Sequence, residues 1–155
     1  MHNIDETDLK ILEFLQDNAR MKRNEIAEKI GLSLPSVTDR MNKLEELDVI
    51  ETYKTKLNHK KLGKDITAFI FVTSESSTHY KDFIHHTVSS PEILECHSIT
   101  GDGSHVLKIR TENTSSLEKL LAKIRSWKGV RSTRTSIVLS SLKETFTIDL
   151  KNYLK

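Results

Sequence analysis

Apolar residues recur at helical spacing through the first third of the chain, and the period changes beyond it. Leu9, Ile11, Leu12 and Leu15 form one apolar stripe behind Asp5. The Asp5 carboxylate can cap a helix there, Glu6 and Asp8 favour its positive end, and Ile4 can staple onto Leu9. Arg20 to Lys22 connect to a second helical pattern with Ile26, Ala27 and Ile30 inward. A third runs from Leu34 to Leu47, with Val37, Met41, Leu44 and Leu47 on its inner face. The stretch Asp48 to Leu57 is β-branched and alternating, which predicts a strand or wing beside these helices.

The second and third helices meet at Gly31-Leu32-Ser33. Ala27, Gly31 and Val37 meet the steric needs of a helix-turn-helix. A small residue lets the helices lie close, Gly accepts the left-handed turn, and a compact apolar residue wedges between them. Ser33 supplies the hydroxyl that caps the third helix. The outer face of that helix carries Ser36, Thr38, Asp39, Asn42 and Lys43. Short hydroxyls at its start lie where base edges or phosphates would meet a helix docked in a DNA major groove. Lys54 and Lys56 share one face of the following strand and reach toward phosphate or simply protect an edge.

Asn58 to Asp65 is a polar linker, and strand patterns begin after it. Thr67 to Thr73 is a near-continuous apolar run, read as a strand buried on both faces. Tyr80, Phe83, Ile84, Thr87 and Val88 then mark a helix. Ile93 to Thr100 and His105 to Thr111 read as strands about a Gly101-Asp102-Gly103 turn. A further helix buries Leu117, Leu120, Leu121, Ile124 and Trp127, Gly129 closes it, and Val130 to Leu142 forms a last strand. The expected class is α+β: a winged helix-turn-helix domain over residues 1–57, a linker over 58–66, and a ferredoxin-like βαββαβ domain over 67–155. Two helices cover one sheet face only, so the apolar residues on the other face call for a second copy of the chain, packed sheet to sheet.

Charge sharpens the need for pairing. The net charge is +2, and residues 1–62 hold 11 Lys or Arg against 12 Asp or Glu. A reading head that is neutral on average must rely on the distribution of its charges, and two copies double its contacts. The single cysteine, Cys96, suits a reducing compartment. No apolar run resembles a signal peptide or approaches the length of a membrane span, so a cytoplasmic location without membrane partners is expected.

The chain resembles the Lrp/AsnC (leucine-responsive, feast/famine) transcriptional regulators along nearly its whole length. The resemblance rests on Ile4-Asp5…Asp8…Ile11-Leu12…Leu15-Gln16…Ala19-Arg20, on Gly31-Leu32-Ser33…Val37…Arg40…Leu44-Glu45…Val49-Ile50, and on Gly129-Val130…Thr135-Ser136-Ile137-Val138-Leu139…Lys143. It implies a homodimer or higher assembly that binds double-stranded DNA through the third helix and a small effector, often an amino acid, at subunit interfaces. Carried over by position, Ser33, Ser36, Thr38, Asp39, Arg40 and Lys43 face DNA, joined by Lys54 from the strand. Arg40 suits either a phosphate or an internal carboxylate. Asn42 stands where relatives often carry a basic residue. The effector site falls on Gly101, Asp102, Gly103, Ser104 and His105, with Thr133, Thr135 and Ser136. Relatives commonly have Gly-Asp-Tyr-Asp-Tyr at the loop, so one carboxylate and two aromatic walls are replaced here. Either the ligand differs from the usual amino acids or the protein works without one. Lys22 replaces a usual capping hydroxyl, and Asp48 a usual Gly.

Seven histidines raise the question of metal or catalysis. His85 and His86 are adjacent on a helix and point about 100° apart. His97 and His105 share strand parity with Cys96 opposite, and no third ligand is evident. No phosphate loop, nucleophile elbow or cofactor motif occurs. Sirohaem decarboxylases share this architecture and use histidines in the sheet domain, but such an enzyme has no reason to keep hydroxyls and Arg40 on the third helix. The expectation is a non-enzymatic regulator without a cofactor, with an effector-independent interaction module as the other alternative.

Overall fold

The computed structural model describes residues 4–75, 77–101, 103–151 and 153. They divide into two compact units, residues 1–56 with 143–155, and residues 57–142.

The first unit holds three helices, α1 (Glu6–Asp17), α2 (Arg23–Ile30) and α3 (Leu34–Glu46). Asp5 caps α1 in a reciprocal box. The Asp8 N–H donates to the Asp5 carboxylate at 2.9 Å, and the Asp5 N–H donates to Asp8 at 3.1 Å. Lys22 leaves α2 without a side-chain cap, and Gly31 ends that helix in the left-handed region at φ 71°. A Cβ at Gly31 would meet nothing within 4 Å, so its backbone conformation, not crowding, calls for glycine. Ile11, Ile26, Ala27, Val37, Met41 and Leu44 form the core, with Ile4 and Leu15 at its edge. Leu47, expected inside, is exposed, because α3 ends at Glu46 and Asp48 turns the chain at φ 54°.

Two expectations fail at the margins of this unit. Asp48 to Leu57 forms no strand among the described residues. Among the described residues the unit offers no second strand to complete a ladder, and side chains hold the segment instead. The Tyr53 hydroxyl donates to Glu45 at 2.8 Å, and Lys56 pairs with Glu144 at 3.1 Å. The last strand is also shorter than predicted, and the chain from Lys143 onward belongs to this unit, not to the sheet domain. Gln16 clamps the Ile148 backbone there, accepting from its N–H at 2.6 Å and donating to its carbonyl at 3.2 Å.

The second unit is a four-stranded antiparallel sheet in the order β2-β3-β1-β4, built from β1 (Ile66–Ser74), β2 (Ile93–Ser98), β3 (His105–Thr111) and β4 (Val130–Ile137). Helices α4 (Tyr80–Val88) and α5 (Thr114–Arg125) follow β1 and β3, which completes the βαββαβ order. Ala68, Ile70 and Val72 pack with Leu107 and Ile109 under Phe83, Leu117, Leu120, Ile124 and Trp127. The apolar run of β1 is therefore buried on one face within the chain. Its other face leaves Phe69 exposed and Phe71 half-buried.

Register corrects the placement of the histidines. His105 pairs with Ser98, and His97 pairs with Val106. Directly opposed residues share a face, and neighbours along a strand alternate. His97 therefore lies on the face away from His105, while Cys96, opposite Leu107, shares the face of His105. From Glu95–Lys108 to Ser98–His105 each opposed pair joins an odd number to an even one, so parity counted through the turn gives the wrong face.

Candidate DNA-reading helix and sheet-domain cavity

Helix α3 is positioned by what it buries. Val37, Met41 and Leu44 fix its inner face, which turns Ser36, Asp39, Asn42 and Lys43 outward as an exposed stripe. Ser33 caps it by accepting the Ser36 N–H at 3.3 Å, and the two hydroxyls lie 2.8 Å apart. The helix thus opens with two exposed hydroxyls at its positive end, an arrangement suited to phosphate oxygens. Thr38 is half-buried, and Lys54 is exposed on the segment that follows.

Arg40 takes the internal role. Its Nη1 donates to Asp5 Oδ2 and Asp8 Oδ1, each at 2.8 Å. Those contacts tie α3 to the cap of α1, and they hold the guanidinium pKa above its ordinary value, through the hydrogen bond to Asp8 first and that to Asp5 next. Among the residues expected to face DNA, it is the one the structure turns inward. The sequence reading also missed Arg23. Its Nη2 donates to Asn42 Oδ1 at 3.3 Å, which brings a cation from α2 to the place where the third helix lacks one. Only the excess of basic residues over Arg20 to Arg23 hinted at it.

The loop before β3 is fixed by its backbone. Gly101 and Gly103 both take positive φ, at 96° and 133°, and the Gly103 N–H donates to the Gly101 carbonyl at 2.9 Å. Asp102 lies outside the described residues. The Ser104 N–H donates to Val72 O at 2.8 Å, and its Oγ accepts the Ser74 N–H at 3.0 Å. The loop is thereby pinned to the end of β1.

Beside this loop is a cavity of about 400 Å³, lined by Ser104 and His105 with Ser74, Tyr80, Phe83 and Lys128, among others. Gly129 forms part of its wall at φ +83°, where an added Cβ would meet the His79 Cβ at 2.8 Å. His105 is 6% exposed, packs at a tilt against Phe83 with ring centroids 4.6 Å apart, and has a partner on neither ring nitrogen. Burial lowers its pKa below the ordinary histidine range. The three β4 residues expected at this site do not line it. Thr133 and Thr135, opposite Val72 and Ile70, lie on the helix-covered face, whereas Ser136, opposite Phe69, lies on the open one.

That open face is partly apolar. Phe69, Phe71 and Val106 share it, with the Arg134 guanidinium 4.7 Å from the Phe71 ring centroid. Lys108 and His97 bracket Glu95 at 3.0 and 3.4 Å. Burial raises the Glu95 pKa and these two partners lower it, and the net direction is down. Among the described residues, no group of three His, Cys, Asp or Glu can hold a metal ion, and no helix is long and apolar enough to cross a membrane.

Comparison with known proteins agrees with both units. Residues 4–51 match the family model described as winged helix-turn-helix DNA-binding, and residues 67–148 match the Lrp/AsnC ligand binding domain. An uncharacterised HTH-type transcriptional regulator of Bacillus subtilis, YezC, is 41% identical over 118 residues, covering 76% of this chain and 83% of its own. The HTH-type transcriptional regulator FL11 of Pyrococcus furiosus is 35% identical over 96% of this chain and 97% of its own. The crystal structure of a transcriptional regulator of Neisseria meningitidis in complex with L-methionine superposes with a TM-score of 0.92 at 28% identity, covering 99% of this chain and 100% of that one.

Proposed function

The chain belongs to the Lrp/AsnC family of transcriptional regulators, and from that premise we propose that it acts in the cytoplasm as a homodimer, or an assembly of dimers, that reads a two-fold symmetric DNA site through α3. Each dimer sets two such helices in successive major grooves, about 34 Å apart on one face of the duplex. Lys43 and Lys54 contact phosphate, while Ser36, Thr38 and Asp39 lie toward base edges behind the cap at Ser33. Arg40 positions the helix from inside. The observation that carries this reading is the exposed Ser36-Asp39-Lys43 stripe on a helix whose own arginine is spent internally.

The open sheet face supports the pairing. Phe69, Phe71 and Val106 form an apolar centre that a second copy buries, with Arg134 and Lys108 at its rim. The sheet domain also takes a small effector at the loop from Gly101 to His105, a reading supported by the complex of the Neisseria meningitidis relative with L-methionine.

Footprinting on the DNA upstream of the chain's own gene tests the reading, together with the mass in solution. The expected result is a protected, two-fold symmetric site and no monomer at micromolar concentration. In the same assay Lys43→Ala weakens binding to all sequences and lowers the salt slope by about one. An unprotected region, a stable monomer or an unchanged slope overturns the corresponding part.

A further inference from the structure

The cavity beside His105 is built within one chain, and its volume of about 400 Å³ is that of a small-molecule site. Buried polar atoms in folded proteins are nearly always paired, so an imidazole with two unpartnered nitrogens marks the place of a missing partner. A neutral ring offers one N–H donor and one acceptor. Around it stand the hydroxyls of Ser74, Ser98, Ser104 and Tyr80, with the ammonium of Lys128. Ser104 Oγ already accepts the Ser74 N–H, so its own proton is what remains to donate. Among the described residues no carboxylate lines the cavity. Asp82 lies beyond it, exposed, 3.9 Å from His79.

This set of groups discriminates by charge. Every polar side chain in the lining can donate a hydrogen bond, and the one full charge is positive. Among the described residues an α-ammonium group would find no anion, and it would face Lys128 as a like charge, an arrangement that costs affinity. We propose that this cavity is the effector site and binds a small carboxylate without an ammonium group, of the 2-oxo acid class. The carboxylate pairs with Lys128 and Ser104, and the keto oxygen accepts from the His105 N–H. The ring nitrogens are shut off from solvent, so the ligand displaces Tyr80, whose ring lies tilted beside the imidazole, centroids 5.8 Å apart, and which is itself 47% exposed. The proposal rests on the reading of the sheet domain as a sensor.

Titration calorimetry of the full chain tests it with pyruvate, 2-oxoisocaproate and 2-oxoglutarate, each against alanine, leucine or glutamate, and with inorganic phosphate. At least one oxo acid should bind about tenfold more tightly than its amino acid, a difference of about 1.4 kcal/mol, and phosphate should not compete. Lys128→Gln and His105→Phe should each weaken that binding by at least about tenfold with the circular dichroism spectrum unchanged, and Ser104→Asp should shift preference toward the amino acid. Equal binding of the amino acid, competition by phosphate, variants that bind like the parent, or no binding by any oxo acid each overturn it. Footprinting separates the two readings. A protected two-fold site without oxo-acid binding removes only this ligand class, whereas loss of both removes the regulator reading as well.

Discussion

Among the described residues each unit fully buries one acidic or basic side chain, and the two are treated in opposite ways. Asp8, 1% exposed in the helical unit, accepts from Arg40 at 2.8 Å and from the Asp5 N–H at 3.1 Å. His105, 6% exposed in the sheet unit, has aromatic neighbours and no hydrogen bond. A buried group with its partners in place fixes a geometry, and here it fixes the angle at which α3 leaves the cap of α1. A buried group without partners retains the desolvation cost, and folding alone gives it nothing in return. The first pattern belongs to a scaffold that presents a reading surface. The second belongs to a site completed from outside.

The largest test of this contrast is Arg40→Met, which leaves Asp8 buried without its cation. Breaking such a pair costs about 3 kcal/mol, the lower end of the usual range because Arg40 keeps a third of its side chain in water. Hydrogen exchange should show the loss in α1 and α3 and spare the amides of β1 and β3. Unchanged protection in α3 would mean that the pair holds nothing. Adding Asp8→Leu should recover part of the loss, since it removes the orphaned carboxylate while also taking the acceptor from the Asp5 N–H. Failure to recover would assign the cost to lost packing by the arginine stem.

The same contrast explains what could be read from the chain alone. The caps at Asp5 and Ser33, the turn at Gly31 and the inward faces of α1, α2 and α3 depend on residues within a few positions of each other, and local spacing displays them. Arg40 was balanced between phosphate and carboxylate because its partners lie 35 and 32 residues away. In the sheet unit nearly everything functional is non-local. The element order was legible, but which face His97, Cys96 and Ser136 occupy follows from register, and a shift of one residue reverses it. The cavity gathers residues from the end of β1, α4, the end of β2, the start of β3 and the turn before β4, so no motif announces Tyr80 or Lys128. The strand expected over Asp48 to Leu57 failed for the opposite reason. Alternation over Asp48 to Leu57 is a local signal, and a strand also needs a neighbour.

The next test inverts the usual effect of a substitution inside a core. His105→Phe keeps an aromatic ring against Phe83 and removes two unpartnered nitrogens. Without ligand, the sheet unit should gain about 1 kcal/mol in urea unfolding, or at least lose nothing. A clear loss would show that the imidazole has a partner after all, and would place His105 with Asp8 as a structural group.

The smallest effect separates the two units by pH. The His105 pKa lies below 6.5 because burial disfavours the charged ring. The unfolded chain therefore takes up the proton first, and stability present above pH 6.5 drains as the pH falls from there toward the folded pKa. Asp5 behaves as a lowered carboxylate. The Asp8 N–H contributes most to lowering it, burial opposes this, and Arg40 adds to it. Its contribution is present above pH 3.8 and is lost only as the pH falls through the folded value. Between pH 6.5 and 5, exchange should thus quicken in β1 and β3 by fractions of a kcal/mol while α1 and α3 hold. His79 and His97 also lie beside carboxylates, at 3.9 and 3.4 Å, so the comparison is with His105→Phe, which keeps both. If that variant softens over the same window to the same extent, the buried imidazole is not the group that titrates, and the contrast between the two units loses its electrostatic half.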